Sequence, residues 1–301
     1  MENSRLFFLI LLCTSLTLCA QKKKVLLIGI DGLQFEQIAQ TNTPNFDKFT
    51  IKRAFTGGVL GSKTQQVTSS GPSWMTILTG VWVDKHKVFS NSSQQISNSK
   101  SVFNYIKTAN SKSYTSSIST WKNINLLLYK DMYKVGFSSQ GEGDDHSTNL
   151  AVSQINDRAP DFVFIHLDDI DHAGHAYGFG NEYSESIRKI DKRIGRLLAA
   201  VNKREHSNNE EWLVLLVTDH GRGVKGKGHG NQTISEKTIF IGLNKKGTHF
   251  FEGIKNDRDL RSIKDLERYA IPQTAIVPTI LKFLNISIKK EWGLDANPLV
   301  D

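Results

Sequence analysis

Three short apolar runs stand out along the chain: Val25-Leu26-Leu27-Ile28-Gly29-Ile30, Phe162-Val163-Phe164-Ile165 and Trp212-Leu213-Val214-Leu215-Leu216-Val217. They are continuous rather than alternating and rich in branched residues. That is the pattern of parallel strands covered on both faces. Between them, apolar positions recur at helical spacing. Ile187, Ile190, Ile194, Leu197, Leu198 and Val201 make one stripe, with Arg188, Lys192, Arg193 and Arg196 on the other face. Thr274 to Leu284 reads as a second helix, which Pro278 bends or delays. Ser70 to Thr79 reads as a third, because Pro72 suits a first helical turn and Gly80 suits a C-terminal stop. The polar stretch Ser90 to Ser101 reads as a surface loop. Strands alternating with helices predict an α/β sandwich, with a mostly parallel central sheet and helices on both faces.

The first residues follow a different pattern. Arg5 precedes the apolar run Leu6 to Leu12, and the segment closes on Leu18-Cys19-Ala20. This is the layout of a secretory signal, expected over residues 1–20. The run is short for a membrane span, so no stable span is expected after processing. Leu16-Thr17-Leu18-Cys19 partly matches a lipoprotein pattern, but Leu18 is large where that pattern wants a small residue. The protein is therefore expected to be exported, periplasmic or secreted. Residues 21–301 are expected to form one domain. Both cysteines, Cys13 and Cys19, fall in the leader, so the remainder has no disulfide, thiol nucleophile or thiolate metal site. Any metal there must be held by His and carboxylates. The 38 Lys and Arg outnumber the 30 Asp and Glu, giving a net charge of +8. A basic surface attracts small anionic substrates. A nucleic-acid polymer is not expected as partner, because no Lys/Arg run is interleaved with aromatics.

Acids and histidines follow the apolar runs directly. Asp31 follows the first, Asp168, Asp169 and Asp171 the second, Asp219 and His220 the third. Open α/β sheets bind ligands at the carboxyl ends of their strands, so these clusters are expected to share one crevice. Their mutual repulsion calls for bound cations. Asp171 and His175 stand four apart, on one face of a helical turn. Taken singly, each of these residues is equally explained as a surface pair or a helix cap; the coincidence of several is the signal. Ser70, at the start of its helix, would meet the positive dipole end and free N–H groups there. A lone serine needs a base or a metal to become a nucleophile. No G-x-S-x-G elbow surrounds Ser70, which leaves the metal route ahead of a serine triad.

In order along the chain come Ile28-Gly29-Ile30-Asp31-Gly32-Leu33, Thr43-Pro44-Asn45, Ser70-Gly71-Pro72 through Thr79-Gly80, Asp84-Lys85-His86, Asp171 through His175 with Tyr177-Gly178, Thr218-Asp219-His220-Gly221, Gly228-His229-Gly230 and Pro278-Thr279-Ile280-Leu281. This ordered set resembles the alkaline phosphatase superfamily, in its type I phosphodiesterase/nucleotide pyrophosphatase branch. The resemblance implies an alkaline-phosphatase-like fold and two zinc ions. One ion would be held by Asp171, His175 and His229, and the other by Asp31, Asp219 and His220 together with Ser70. Ser70 falls where the branch usually has threonine, and it would attack phosphorus to form a phosphoserine. Asn91 falls where the family binds a phosphoryl oxygen. The implied activity is hydrolysis of a phosphate diester, with a monoester as the alternative. Arg222, Lys225 and Lys227 are the cations that could meet a monoester's extra charge. Ser70-Gly71-Pro72-Ser73 also resembles the sulfatase core, which requires arginine where this chain has Trp74. A metal-stabilised protein without catalysis is a further alternative, against which the retained Ser70 speaks. His166, His172 and Asp168 have no assigned role.

Overall fold

The computed structural model describes residues 21–301. The leader-like segment, with Cys13 and Cys19, lies outside the described residues. Eight strands form one sheet: β1 (Lys22–Ile30), β2 (Thr50–Phe55), β3 (Thr115–Ser119), β4 (Phe137–Gln140), β5 (Phe162–Leu167), β6 (Glu210–Thr218), β7 (Thr238–Leu243) and β8 (Ile271–Pro272). Their order is β4-β3-β5-β1-β6-β7-β2-β8. The strands from β4 to β6 are parallel neighbours, β7 runs antiparallel to both β6 and β2, and β8 closes the edge parallel to β2. The three apolar runs are thus adjacent central strands.

Six helices of eight residues or more flank the sheet among the described residues: α1 (Ser70–Thr79), α2 (Val102–Ala109), α3 (Asp144–Ser153), α4 (Asp169–Tyr177), α5 (Asn181–Asn208) and α6 (Ile276–Phe283). Alternation along each strand divides the core in two. Val25, Leu27, Phe162, Phe164, Leu213 and Leu215 pack on one face, against Trp74 and Ile77 of α1, Phe103 of α2 and Ile280 of α6. Leu26, Ile28, Val163, Ile165, Val214 and Leu216 pack on the other, against Ala151 of α3 and the Ile187–Val201 stripe of α5. Each fully buried aliphatic side chain contributes about 1.5–3 kcal/mol relative to exposure. Two-sided burial explains why these strands are apolar at every position.

The helix over Thr274–Leu284 begins late. A 3₁₀ turn occupies Gln273–Ala275 and α6 starts at Ile276. Pro278 then sits in the first turn, where its missing N–H removes no helical bond. α1 matches its expected span. Gly80 ends it in the left-handed region at φ 72° and returns its N–H to Thr76 O.

His86 couples this scaffold to pH. Its ring is buried, with Nδ1 accepting the Val88 N–H at 3.1 Å and Nε2 3.2 Å from Thr76 Oγ1. Burial pushes its pKa down to about 3, whereas an unfolded histidine titrates near about 6.5. Between those values the unfolded chain binds the extra proton, so stability rises with pH. The contribution is complete above the unfolded pKa and is lost as pH falls towards about 3. The expected slope is about 1.4 kcal/mol per pH unit. Urea unfolding of His86→Gln against the parent across the acidic range should show that slope flattened; parallel curves would contradict it.

Candidate metal centre

Strand register sets the site. In the β5-β1-β6 trio, Ile30 pairs with Leu167 on one side and Thr218 on the other. The residue after each partner is an acid, so Asp168, Asp31 and Asp219 emerge at one level. The Asp31 N–H donates to Leu167 O at 2.8 Å, holding that level beyond the strand ends.

Asp31 is the hub. Its Oδ2 accepts from the Trp74 indole at 2.9 Å and lies 3.0 Å from His166 Nε2. Its Oδ1 lies 3.4 Å from both Ser70 Oγ and His220 Nε2. Asp219 Oδ1 accepts the Gly32 N–H at 3.1 Å. Asp219 Oδ2 is buried, 3.4 Å from His220 Nε2, with no hydrogen-bond partner. Asp31, Asp219 and His220 bring their ligand atoms within 4.8 Å of one another. On α4, Asp171 and His175 share one turn, with His175 Nε2 3.1 Å from Asp171 Oδ2. His229 Nε2 lies 3.0 Å from His175 Nε2 and 3.8 Å from Asp171 Oδ1. The His220 and His229 rings stack at 3.8 Å, so the two groups abut.

The histidine tautomers decide what these groups accept. Nδ1 of His175 faces Lys227 O at 2.9 Å, Nδ1 of His220 faces Gly221 O at 3.0 Å and Nδ1 of His229 faces Thr68 O at 3.0 Å. A carbonyl only accepts, so each Nδ1 donates, and each ring, once it gives up any second proton to an incoming cation, turns an Nε2 lone pair inward. A carbonyl held against the far nitrogen in this way fixes the tautomer and orientation of a metal-binding imidazole. The His175 and His229 Nε2 atoms, 3.0 Å apart, suit one cation, and the orphaned Asp219 Oδ2 suits another. His166 has the opposite polarity. Its Nδ1 accepts the Trp121 N–H at 3.3 Å, so its Nε2 is the donor to Asp31. It therefore props the hub and offers no lone pair, although it stands near Asp31 and Asp168.

Charge agrees with geometry. Burial raises the Asp31 carboxyl, but His166 and His220 outweigh it and hold it well below the usual carboxylate range. Burial, then Asp31, pushes Asp219 well above that range, and the same causes lift Asp168 to about 7. Burial disfavours a charged His220, yet Asp219 and Asp31 win and raise it to about 10. Burial and the neighbouring His220 take His229 down to about 4. Without a cation, a proton on His220 supplies the positive charge the acids demand.

Ser70 opens α1 and is buried, its Oγ against Asp31 and His220. Asn91 comes from the polar loop, and its Oδ1 accepts the Gly71 N–H at 2.7 Å. A cleft of about 160 Å³ is lined by Ser70, Asn91, Trp121, Asp168, Asp171, His172, His175 and His229. No lysine or arginine lines it among the described residues. Arg222 is fully buried and pairs with Asp171, so it does not face the cleft; Lys225 and Lys227 are exposed on the loop. His172 is largely exposed, 3.7 Å from Asp168.

Several supports had no assignment from sequence. Asp144, at the start of α3, accepts the N–H groups of Asp168 and Asp169 at 2.8 and 3.1 Å, capping α4 from outside. Arg193 of α5 bridges Asp144 and Asp169 at 3.3 and 2.7 Å. Glu236 accepts from Asn231 N–H at 2.5 Å and Thr68 Oγ1 at 3.3 Å, tying the His229 loop to the approach to Ser70. Trp74 lies one helical turn beyond Ser70, a spacing that puts both on the same face of α1. Gly29 leaves room for it, since a methyl group there would collide with the indole.

A sequence model of the type I phosphodiesterase/nucleotide pyrophosphatase family matches residues 25–125 and 104–241. The chain belongs to this family. Among curated relatives, GPI ethanolamine phosphate transferase 1 of Yarrowia lipolytica is 25% identical over 276 residues, which is 81% of this chain and 29% of that protein. The chain thus spans less than a third of that relative. Murine ectonucleotide pyrophosphatase/phosphodiesterase 5, solved as an inactive variant in complex with AMP, superposes with a TM-score of 0.62 at 12% identity, covering 88% of this chain and 96% of that one. Alkaline phosphatase from the Antarctic bacterium TAB5 superposes at 0.58 with 15% identity, covering 89% and 99%. The fold is that of the alkaline phosphatase superfamily, as the motif order implied.

Proposed function

We propose that the chain is a zinc-dependent hydrolase of phosphate diesters that acts through a phosphoserine at Ser70. The carrying observation is the position of Ser70 Oγ, 3.4 Å from both Asp31 Oδ1 and His220 Nε2, at the mouth of two acid–imidazole groups with inward lone pairs. Asp31, Asp219 and His220, with Ser70, would hold one zinc, and Asp171, His175 and His229 the other. Nitrogen and oxygen donors of this kind suit zinc. Bound ions supply charge neutralisation and lower the pKa of coordinated hydroxyl groups. Ser70 Oγ attacks phosphorus in line, and the bond to the leaving alkoxide breaks as the Oγ–P bond forms. Water then cleaves that bond, releasing phosphate monoester and restoring the Ser70 hydroxyl. Asn91 Oδ1 is engaged by the Gly71 N–H, which leaves its amide N–H groups to meet a phosphoryl oxygen.

The cleft, with no lysine or arginine lining it among the described residues, favours a diester, which carries less charge than a monoester. The relation to ethanolamine phosphate transferases supports a second reading, in which an alcohol replaces water in the second step. A panel of bis-aryl phosphodiester, aryl phosphomonoester, nucleotide pyrophosphate and aryl sulfate, each with and without chelator, tests the assignment. Diester turnover lost with zinc is expected. Sulfate turnover insensitive to chelator would sink it. Repeating the diester assay with added alcohols separates hydrolysis from transfer. The leader-like segment fits work outside the cytoplasm, testable by fractionating cells.

His166 carries its own prediction. Removing the Nε2 donor frees Asp31 to turn. Loss of such a supporting partner costs about 10–100-fold in metal affinity or activity. His166→Ala should show that loss, and His166→Gln, which keeps a donor, should recover part of it. Equal loss in both, with zinc content unchanged, would count against the prop.

A further inference from the structure

Arg222 lies between His220 and His229 in sequence, yet it is fully buried and its side chain does not line the cleft. Its guanidinium is held on all sides. Nη1 pairs with Asp171 Oδ1, Nε donates to Gly226 O, and Nη2 donates to Lys227 O at 3.4 Å. Gly174 and Gly32 make the slot, since a methyl group on either would overlap the guanidinium. Asp171 Oδ1 therefore already has a permanent cation, and only Oδ2 faces His175. The other group has no permanent cation among the described residues: Asp31 meets Trp74, Ser70 and two titratable histidines, and Asp219 Oδ2 has no hydrogen-bond partner there.

We infer that Arg222 is a resident counter-ion that makes the two metal positions unequal. This rests on the metal reading given above. The Asp31–Asp219–His220 position needs a divalent ion and holds it tightly. The Asp171–His175–His229 position is neutralised in advance, is half-open at His175, and holds its ion weakly. A buried like charge a few ångströms away is poorly screened and opposes the incoming ion. Arg222 is thus a positioning residue. It lets the chain fold with that position empty, and it fixes the Asp171 carboxylate for one-oxygen binding.

The test is a chelator titration of the whole chain loaded with zinc, with bound metal counted directly. Two dissociation constants should be separated by about tenfold or more, the size of effect one nearby charge produces. His175→Ala should lose the weak ion and keep the tight one. Arg222→Met, of similar length but uncharged, should narrow the gap by about tenfold, and its melting temperature should rise more on adding zinc than the parent's. A merely structural Arg222 would lower stability equally with and without zinc, so equal zinc-induced rises would overturn the inference. So would two equal constants in the parent, or loss of the tight ion from His175→Ala. The parent and His175→Ala titrations decide the matter even where Arg222→Met does not fold. A parent chain that binds no zinc overturns the metal reading itself, and the inference with it.

Discussion

Ser70→Ala should abolish turnover while leaving zinc content and melting temperature close to the parent's. The side chain contributes one hydroxyl, with contacts to Asp31 and His220 no shorter than 3.4 Å, so the fold depends little on it. The reaction depends on it entirely if it forms the covalent intermediate. Losing a nucleophile that works as part of a unit costs on the order of 10⁴-fold or more in kcat. Retained metal-dependent turnover within about tenfold of the parent would mean that another group attacks phosphorus. Trapping phosphoserine after a rapid acid quench checks the same point from the product side.

Stripping the metal should have the second-largest effect, on activity and stability together. Asp31, Asp168, Asp171 and Asp219 are all buried at one end of the sheet. Among them only Asp171 is paired with an arginine. With the ions gone, the remaining charge must be relieved by protons or by opening the site. An ion at about a hundred times its dissociation constant adds about 2.7 kcal/mol of stability. At about 2–4 °C per kcal/mol for a chain of this order of size, the melting temperature should fall by several degrees on chelation. Zinc should restore both properties, and magnesium much less, because the imidazole donors suit zinc. Unchanged melting and unchanged turnover after verified metal removal would end the metallohydrolase reading.

Much of this site is legible in the chain because its acids are bound to strand ends. Asp31 and Asp219 each follow a branched apolar run, and a central strand fixes where its last residue emerges. Asp171 and His175 are legible for a similar reason, through the helical period. The supports are not legible, because each looks like something else. His166 directly follows the run Phe162 to Ile165, and nothing around it in the sequence assigns it a role. Trp74 registers in sequence only as the absence of an arginine, although its indole braces Asp31. Asp144 caps α4 from another element, and nothing local to either residue announces the pairing. Arg222 reads as one of three loop cations open to a substrate, since sequence cannot tell that Gly32 and Gly174 leave a slot for it.

The shared level of Asp31, Asp168 and Asp219 is set by the ladder between β1, β5 and β6 rather than by the segments that follow. Chemistry and recognition are therefore stored in different parts of the molecule. One residue inserted within β1 would turn Asp31 to the opposite face of the sheet, whereas many inserted beyond Asn91, between Gln94 and Ser101, would leave the acids in register. Such a chain can acquire new substrates by rewriting its rim while its reaction stays the same.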